Sequence, residues 1–260
     1  MASLRTERVT MRFGGLTAVS KVDFAVEKGQ VFSVIGPNGA GKTTVFNAIT
    51  GMNPPTEGRV LYGGEEITGL GRHEVTRRGL ARTFQNIRLF SFMTAVDNVM
   101  VGEHCRMHAK VWDAVFRTPS ERHEERDVEK RALDILRRLG IERYADAYAR
   151  NLPYGLQRRL EIARALASNP SLLLLDEPAA GLNQREKREL MEVIATLREG
   201  GLTIFLIEHD MRVVMEISDR IVVLDHGEKI AEGAPQEVRK NPRVIEAYLG
   251  SGASQEMRGA

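Results

Sequence analysis

The feature that most constrains the fold of this chain is a glycine-rich segment, Gly36–Thr43, with the sequence GPNGAGKT. It matches the pattern G-x-x-x-x-G-K-[ST] at every specified position. An apolar run, Val31–Ile35, precedes it, and Thr43–Thr50 follow in a helical pattern that ends at Gly51. A strand, a glycine-rich loop and a helix in this order predict a phosphate-binding loop. The glycines let backbone N–H groups turn towards phosphate oxygens at the helix N-terminus.

The predicted loop assigns roles to individual side chains. Lys42 can reach the β- and γ-phosphates of a nucleoside triphosphate, and the Thr43 hydroxyl can ligate Mg²⁺. The alternative interpretation is a glycine-rich turn with an incidental lysine, which the flanking strand and helix do not favour. The residues expected to bind the nucleotide here are Gly36, Pro37, Asn38, Gly39, Ala40, Gly41, Lys42, Thr43 and Thr44.

Two carboxylates follow a second apolar run, Leu172–Leu175. A continuous apolar run is typical of a parallel strand that is buried on both faces. Asp176 at its carboxyl end can hold Mg²⁺ through water, and Glu177 is a candidate general base for an attacking water molecule. The alternative is a solvated pair at a strand end. His209 follows a third apolar strand, Ile204–Ile207, which we expect beside the Asp176 strand, so its imidazole can approach the γ-phosphate.

The pattern changes twice along the chain. Short β-like runs dominate the first part, helical patterns begin near Gln85, and alternation of strands and helices returns after Leu160. Thr94 and Ser120 are expected to cap two of the helices. We predict an α/β core, with a mostly parallel sheet and an antiparallel β subdomain, that is interrupted by a helical subdomain. The expected divisions are 1–85 and 160–250 for the core, 86–159 for the helical subdomain and 251–260 for a loose tail.

Composition narrows the function classes. The 37 Lys and Arg residues nearly balance the 35 Asp and Glu residues, which does not favour a nucleic-acid partner. The single cysteine, Cys105, excludes an intramolecular disulfide and is interpreted as a small buried hydrophobe. No signal peptide is expected in Met1–Thr10, and the apolar runs are far shorter than the ~20 residues that span a bilayer. We expect a cytoplasmic chain, with any membrane-spanning part supplied by another chain.

These motifs resemble those of the ABC-transporter ATPases, over residues 4–250. The resemblance implies a P-loop NTPase core that binds ATP with Mg²⁺ and hydrolyses it. Gln85 stands at the family's Q-loop glutamine, which implies roles in catalysis and in Mg²⁺ binding, and His209 stands at the switch histidine. Phe13 stands where an aromatic ring stacks on adenine, although it could equally be a core residue.

The family's Leu-Ser-Gly-Gly-Gln signature corresponds here to Leu152–Gln157, LPYGLQ. In the family this segment caps the ATP held by a second copy of the domain. Pro153 replaces the serine, whereas Gly155 and the helix N-terminus after it remain, so backbone donors can still face a nucleotide. Asn183 replaces the usual D-loop aspartate and can still form a hydrogen bond across a dimer.

Longer matches are similar to the ATP-binding subunits of branched-chain amino acid importers. They include LPYGLQRRLEIARAL and DEPAAGLN, and the stretch 105–131 with Trp112 resembles that subfamily's longer insertion. This resemblance implies a peripheral protein on the inner face of the cell membrane. Its expected partners are integral-membrane permeases, a second ATPase subunit or a second copy of itself, and, indirectly, an external substrate-binding protein. The alternatives are a urea importer, a lipopolysaccharide exporter, a soluble ABC ATPase and a non-hydrolysing scaffold.

An apolar stretch follows Gln85 and has two interpretations. Its members are Ile87, Leu89, Phe90, Phe92 and Met93. We expect about half of them to fill the core of the helical subdomain and the rest to line a groove for a short cytoplasmic helix of the permease.

Overall fold

The computed structural model describes residues 2–103 and 119–250. The expectations for Cys105, Trp112 and the tail 251–260 therefore lie outside the described residues. The strands are β1 (Ala2–Phe13), β2 (Leu16–Glu27), β3 (Val31–Ile35), β4 (Glu57–Tyr62), β5 (Glu65–Glu66), β6 (Leu80–Arg82), β7 (Leu172–Asp176), β8 (Thr203–Ile207), β9 (Arg220–Asp225) and β10 (Glu228–Gly233). The helices are α1 (Lys42–Ile49), α2 (Arg72–Arg77), α3 (Ala95–Glu103), α4 (Pro119–Arg138), α5 (Tyr154–Leu166), α6 (Gln184–Glu199), α7 (Met211–Ile217), α8 (Pro235–Arg239) and α9 (Pro242–Gly250).

The described residues form two compact units. One unit comprises the described residues 2–82 and 171–250, and the other comprises the described residues 83–103 and 119–170. The expected division at residue 160 would have fallen inside α5, whereas the observed unit keeps this helix whole. We call the two parts the core unit and the helical unit.

The core unit is built on a six-stranded sheet in the order β10-β9-β3-β8-β7-β6. All neighbours are parallel except β10 and β9, which form a hairpin. Strands β3, β7 and β8 are buried along their whole length, as their apolar runs predict. Because these strands are parallel and adjacent, the residues that follow Ile35, Leu175 and Ile207 gather at one edge of the sheet.

A second, antiparallel sheet of the core unit has the order β2-β1-β4-β5. An aromatic cluster joins it to α1 and the parallel sheet, with ring centroids 5.2 Å apart for Phe24 and Phe32 and 5.6 Å apart for Phe46 and Phe205. Such rings contribute large buried apolar area and a defined geometry. This cluster anchors α1, and with it the segment that precedes α1. The two sheets and their helices confirm the predicted α/β fold.

The helical unit packs α3, α4 and α5 around buried residues that recur at helical spacing. Its buried side chains include Val99, Ala132, Leu136, Leu139, Leu160 and Ala163. Gly102 permits a close approach of α3 to α5, since a Cβ atom there would lie 2.2 Å from the Arg164 carbonyl oxygen. Thr94 caps α3 as expected, because its hydroxyl accepts the Asp97 amide at 3.2 Å. Ser120 is not the predicted cap, since α4 already includes Pro119.

Candidate functional site

The segment between β3 and α1 depends on glycine at two positions. Gly36 has a φ of 150°, and a Cβ atom there would lie 2.0 Å from the carbonyl oxygen of Leu224. Gly41, with a φ of 97°, is the N-cap of α1, and a Cβ atom there would lie 2.7 Å from the carbonyl oxygen of Ala18. Backbone this close to its neighbours admits no side chain. The loop therefore presents main chain, rather than side chains, at the start of α1.

Lys42 lies inside this loop. Its Nζ atom donates to the carbonyl oxygens of Gly36 at 2.7 Å and Pro37 at 2.9 Å, and the residue is 8% exposed. Burial lowers the pKa of Lys42, and the nearby charge of Glu177 partly opposes that change. The loop thus holds a partly desolvated cation, which favours a strong interaction with an anionic ligand.

Asp176 ends β7 and pairs with an arginine. Its Oδ2 atom accepts from Arg82 Nη2 at 2.9 Å, and their side chains are 6% and 11% exposed. Arg82 also donates to Asn47 Oδ1 at 2.8 Å and Thr50 Oγ1 at 3.0 Å, near the end of α1. The sequence pattern alone does not indicate this role for Arg82. A cation at the end of a strand beside β7 would indicate a partner for Asp176. Strand β6 has only three residues, which are too few to show a strand pattern.

Glu177 and His209 lie beside each other at the same edge. Glu177 Oε2 is 3.6 Å from His209 Nδ1, and the amide of Glu177 donates to the carbonyl oxygen of Ile207 at 2.9 Å. Glu177 has a φ of 47°, which is uncommon for a residue with a side chain. Backbone in a sparsely populated region recurs at functional sites, where the surrounding structure holds it.

A metal ion requires suitable ligands at this edge. Thr43 is exposed in the first turn of α1, and Asp176 supplies a carboxylate at the end of β7. Among the described residues, no group of three or more His, Cys, Asp or Glu side chains could hold a metal. Mg²⁺ is usually bound by one or two protein oxygens together with waters and substrate phosphates, so these hard oxygen donors fit it.

Phe13 lies at the end of β1 with 49% of its surface exposed. A core residue would be buried, so its exposure favours the first of the two interpretations, a ring free to stack on a flat ligand. In the loop, Asn38 and Gly39 are exposed, Pro37 and Thr44 are partly exposed, and Ala40 is buried.

The remaining predicted site residues belong to the helical unit. Gln85 is exposed, and its carbonyl oxygen accepts from Arg158 Nη2 at 2.9 Å. Pro153 is the N-cap of α5 without a side-chain hydrogen bond, and Gly155 is buried in the first turn. Asn183, in the core unit, caps α6, since its Oδ1 atom accepts the amides of Arg185 and Glu186 at 3.0 Å.

None of the helices within residues 2–103 and 119–250 is both long and apolar enough to cross a membrane.

Comparison with known proteins identifies the class to which this fold and site belong. The family model described as "ABC transporter" matches residues 19–180, so the chain belongs to the ABC transporter family and is an ATP-binding cassette. A second model, described as "Branched-chain amino acid ATP-binding cassette transporter", matches residues 228–254.

Its relatives narrow the comparison further. The chain is 50% identical over 248 residues to the high-affinity branched-chain amino acid transport ATP-binding protein BraF of Pseudomonas aeruginosa, covering 95% of this chain and 97% of the relative. It is 47% identical, with the same coverage, to the corresponding protein LivG of Escherichia coli.

Solved structures agree in fold. The crystal structure of the ADP conformation of MJ1267, an ATP-binding cassette of an ABC transporter, matches with a TM-score of 0.85 and 34% identity, covering 96% of this chain and 99% of that chain. The dimeric structure of MJ0796, a bacterial ABC transporter cassette, matches with a TM-score of 0.75 and 29% identity, covering 89% and 98%.

Proposed function

We propose that this chain is the ATP-hydrolysing subunit of a transporter that takes up branched-chain amino acids. The observation that carries the hydrolytic part is the gathering of Lys42, Asp176, Glu177 and His209 at the carboxyl edge of one parallel sheet. The substrate rests on the names of the relatives BraF and LivG and on the family match at residues 228–254.

The side chains divide the chemistry of hydrolysis among them. Lys42, which now donates to two loop carbonyls, would donate to β- and γ-phosphate oxygens of ATP. Glu177 would accept the proton of the attacking water as general base. His209, 54% exposed and 3.6 Å from Glu177, would donate a hydrogen bond to the γ-phosphate. Phe13 would stack on the adenine.

Thr43 and Asp176 of the core unit would hold Mg²⁺. The family resemblance implies Gln85 as a further ligand. When bound, Mg²⁺ would neutralise negative charge that develops on the phosphates. Asp176 would act from a fixed position, because Arg82 holds one of its oxygens at 2.9 Å.

A complete ATP site would need two chains. The signature segment around Gly155 would cap the ATP of a second ATPase, so that the loop of each chain meets the signature of the other. The similar MJ0796 cassette has been solved as a dimer, which supports this arrangement. The second ATPase is either another copy of this chain or a different subunit.

The helical unit carries an aromatic patch, Phe90, Phe92 and Tyr148, that would contact a permease. The exposed fractions of these residues are 48%, 76% and 48%, whereas Ile87, Leu89 and Met93 are partly buried. Buried Asn98 holds the backbone of Phe90, because its side chain donates to the Phe90 carbonyl at 3.1 Å and accepts the Phe90 amide at 2.9 Å. Through the permease, the chain would lie on the inner face of the membrane and respond indirectly to an external substrate-binding protein.

The variant Glu177→Gln tests this proposal, since it keeps the side-chain shape and removes the base. We expect it to bind ATP, to lose almost all hydrolysis, and to change from monomer to dimer when ATP is added. Size-exclusion chromatography with light scattering measures the association, and Glu199→Gln at an exposed helix position is the matched control. Wild-type hydrolysis by Glu177→Gln would rule out Glu177 as the base. An inactive, ATP-bound monomer would replace the homodimer with a mixed pair.

A further inference from the structure

A buried ion pair lies in the first half of α5, directly after the signature segment. Arg158 Nη1 and Glu161 Oε2 are 2.8 Å apart, and the two side chains are 0% and 1% exposed. Burial raises the pKa of Glu161, although Arg158 and the Phe84 amide act in the opposite direction. Apolar residues of similar volume often replace such a pair without loss of stability. Stability alone therefore does not account for two charges at this position.

The side chains of Arg158 and Glu161 form hydrogen bonds with the backbone of the segment that contains Gln85. Arg158 donates to the carbonyl oxygens of Phe84 and Gln85, each at 2.9 Å. Glu161 Oε1 accepts the Phe84 amide at 3.3 Å. Three hydrogen bonds thus join one turn of α5 to the backbone of two consecutive residues, with sequence separations of 73 to 77 residues.

Tyr154, which follows Pro153 in the signature segment, extends this connection. Its hydroxyl accepts from Arg158 Nη2 at 3.2 Å, and its ring centroid lies 5.8 Å from the guanidinium carbon. The same residue is 44% exposed, so it belongs both to the buried network and to the surface of the signature turn. A movement of the Gln85 backbone would therefore reach this surface through Arg158, which donates to both Gln85 and Tyr154.

The guanidinium of Arg158 is oriented so that its Nη atoms form hydrogen bonds with the described residues while its Nε atom does not. Its Nη atoms together meet four acceptors, whereas its Nε atom is buried without a hydrogen-bond partner among the described residues. A buried donor without a partner is unfavourable and calls for an explanation. The planar fork of arginine explains it, because only this orientation directs Nη1 and Nη2 to two successive carbonyl groups.

We propose that Arg158 and Glu161 are positioning residues that link Gln85 to the signature turn. Through them, nucleotide bound by one chain would set the position of the turn with which that chain caps the nucleotide of its partner. This inference rests on the proposed function, in which Gln85 responds to the chain's own nucleotide and Gly155 faces the partner's. It adds a route within one chain by which the two ATP sites of a dimer influence each other.

Hydrogen exchange measured by mass spectrometry tests this link on the full chain carrying Glu177→Gln. The protein is kept at a concentration where light scattering reports a monomer with MgATP present. MgATP is expected to slow exchange several-fold in peptides of the phosphate loop and of the signature turn. Arg158→Lys keeps the charge but cannot reach both carbonyl groups, so the response of the signature turn should be lost while the loop response stays. Arg159→Lys, at the adjacent position, is the control and should behave as the parent.

A second variant guards against a purely structural effect. Arg158→Met with Glu161→Leu fills the same space without charge, and it should also lose the response of the signature turn while unfolding cooperatively. A signature response that equals the parent's in Arg158→Lys and in the apolar pair would overturn the link. Absence of MgATP protection at the phosphate loop of the parent would instead remove the proposed ATP site, and this inference with it.

Discussion

The carboxylate of Glu208 accepts a hydrogen bond from the backbone amide of Ala179 at 2.7 Å. Its other oxygen accepts the amide of His209 at 3.0 Å, and the residue has no exposed surface. Burial raises the pKa of Glu208, and the backbone hydrogen bonds partly oppose that change. This carboxylate ties the segment after β7 to the segment after β8, and so helps to fix the distance between Glu177 and His209.

Replacement of Glu208 by glutamine should therefore destabilise the core unit. An amide nitrogen in place of one oxygen would face a backbone N–H donor, and an unpaired buried donor costs about 1–3 kcal/mol. Urea unfolding followed by circular dichroism measures the loss. Glu216→Gln on the exposed side of α7 should leave the free energy of unfolding unchanged. Equal free energies of unfolding for the two variants would contradict a stabilising role for the hydrogen bonds of Glu208.

Lys42→Ala should weaken ATP binding and abolish turnover, because the phosphates lose their main cation. A charge-assisted hydrogen bond contributes about 1.5–3 kcal/mol, which corresponds to a roughly tenfold to hundredfold loss of affinity. Equilibrium binding of a fluorescent ATP analogue measures the change, and Lys240→Ala at an exposed position serves as control. Unchanged affinity for the ATP analogue together with normal turnover would contradict the assignment of Lys42 to the ATP site.

Arg82→Met should destabilise the protein because it leaves the carboxylate of Asp176 without its cation. Removal of one partner of a buried ion pair costs about 3–5 kcal/mol. Thermal unfolding detects the loss. Addition of Asp176→Asn should recover part of it, because the buried charge disappears as well. If the losses of stability caused by the two substitutions simply add, the 2.9 Å contact between Arg82 and Asp176 does not couple these residues energetically.

Phe92→Asp should uncouple transport from hydrolysis while leaving the ATPase activity of the isolated chain intact. The ring is 76% exposed and contacts the guanidinium of Arg150 at 4.7 Å, so a charge there disturbs the aromatic patch rather than the core. Uptake by cells or vesicles containing the whole transporter is the measurement, and Phe90→Asp should behave alike. Phe92→Leu keeps an apolar surface and should transport. Transport by Phe92→Asp, or its failure to fold, would refute the partner surface.

Asp210→Asn should change how stability depends on pH. Burial works against ionisation of Asp210, but the hydrogen bond from Lys187 at 2.5 Å and its charge hold the pKa below the ordinary 3.8. A lowered folded pKa gives stability that is present above the unfolded value and lost as pH falls through the folded value. The difference between wild type and variant in urea unfolding should stay constant from pH 7 to pH 5 and shrink below about pH 4. Asparagine still caps α7, so the comparison isolates the charge. A difference that persists unchanged at pH 3 would speak against this ion pair.

The sequence predicts those parts of the fold that depend on neighbouring residues. Apolar runs identify β3, β7 and β8, and the glycine pattern identifies the loop before α1, because each signal lies within one short segment. Arg82 and Glu208 escape prediction because their partners, Asp176 and Ala179, are 94 and 29 residues away. Strand β6 has too few residues to show a period, and its pairing with β7 brings Arg82 to Asp176. Such pairs appear only once the order of strands is known.

At Glu177, the left-handed backbone conformation lowers the stability of the fold, whereas the side chain is needed for catalytic activity. A residue with a Cβ atom at this φ costs roughly 1–2 kcal/mol, and glycine would relieve much of it. Asparagine tolerates the same conformation better than glutamate does. A directed-evolution library selected only for heat resistance should therefore accumulate glycine or asparagine at 177. The selected variants would keep the fold but lose the carboxylate that this strained backbone conformation positions.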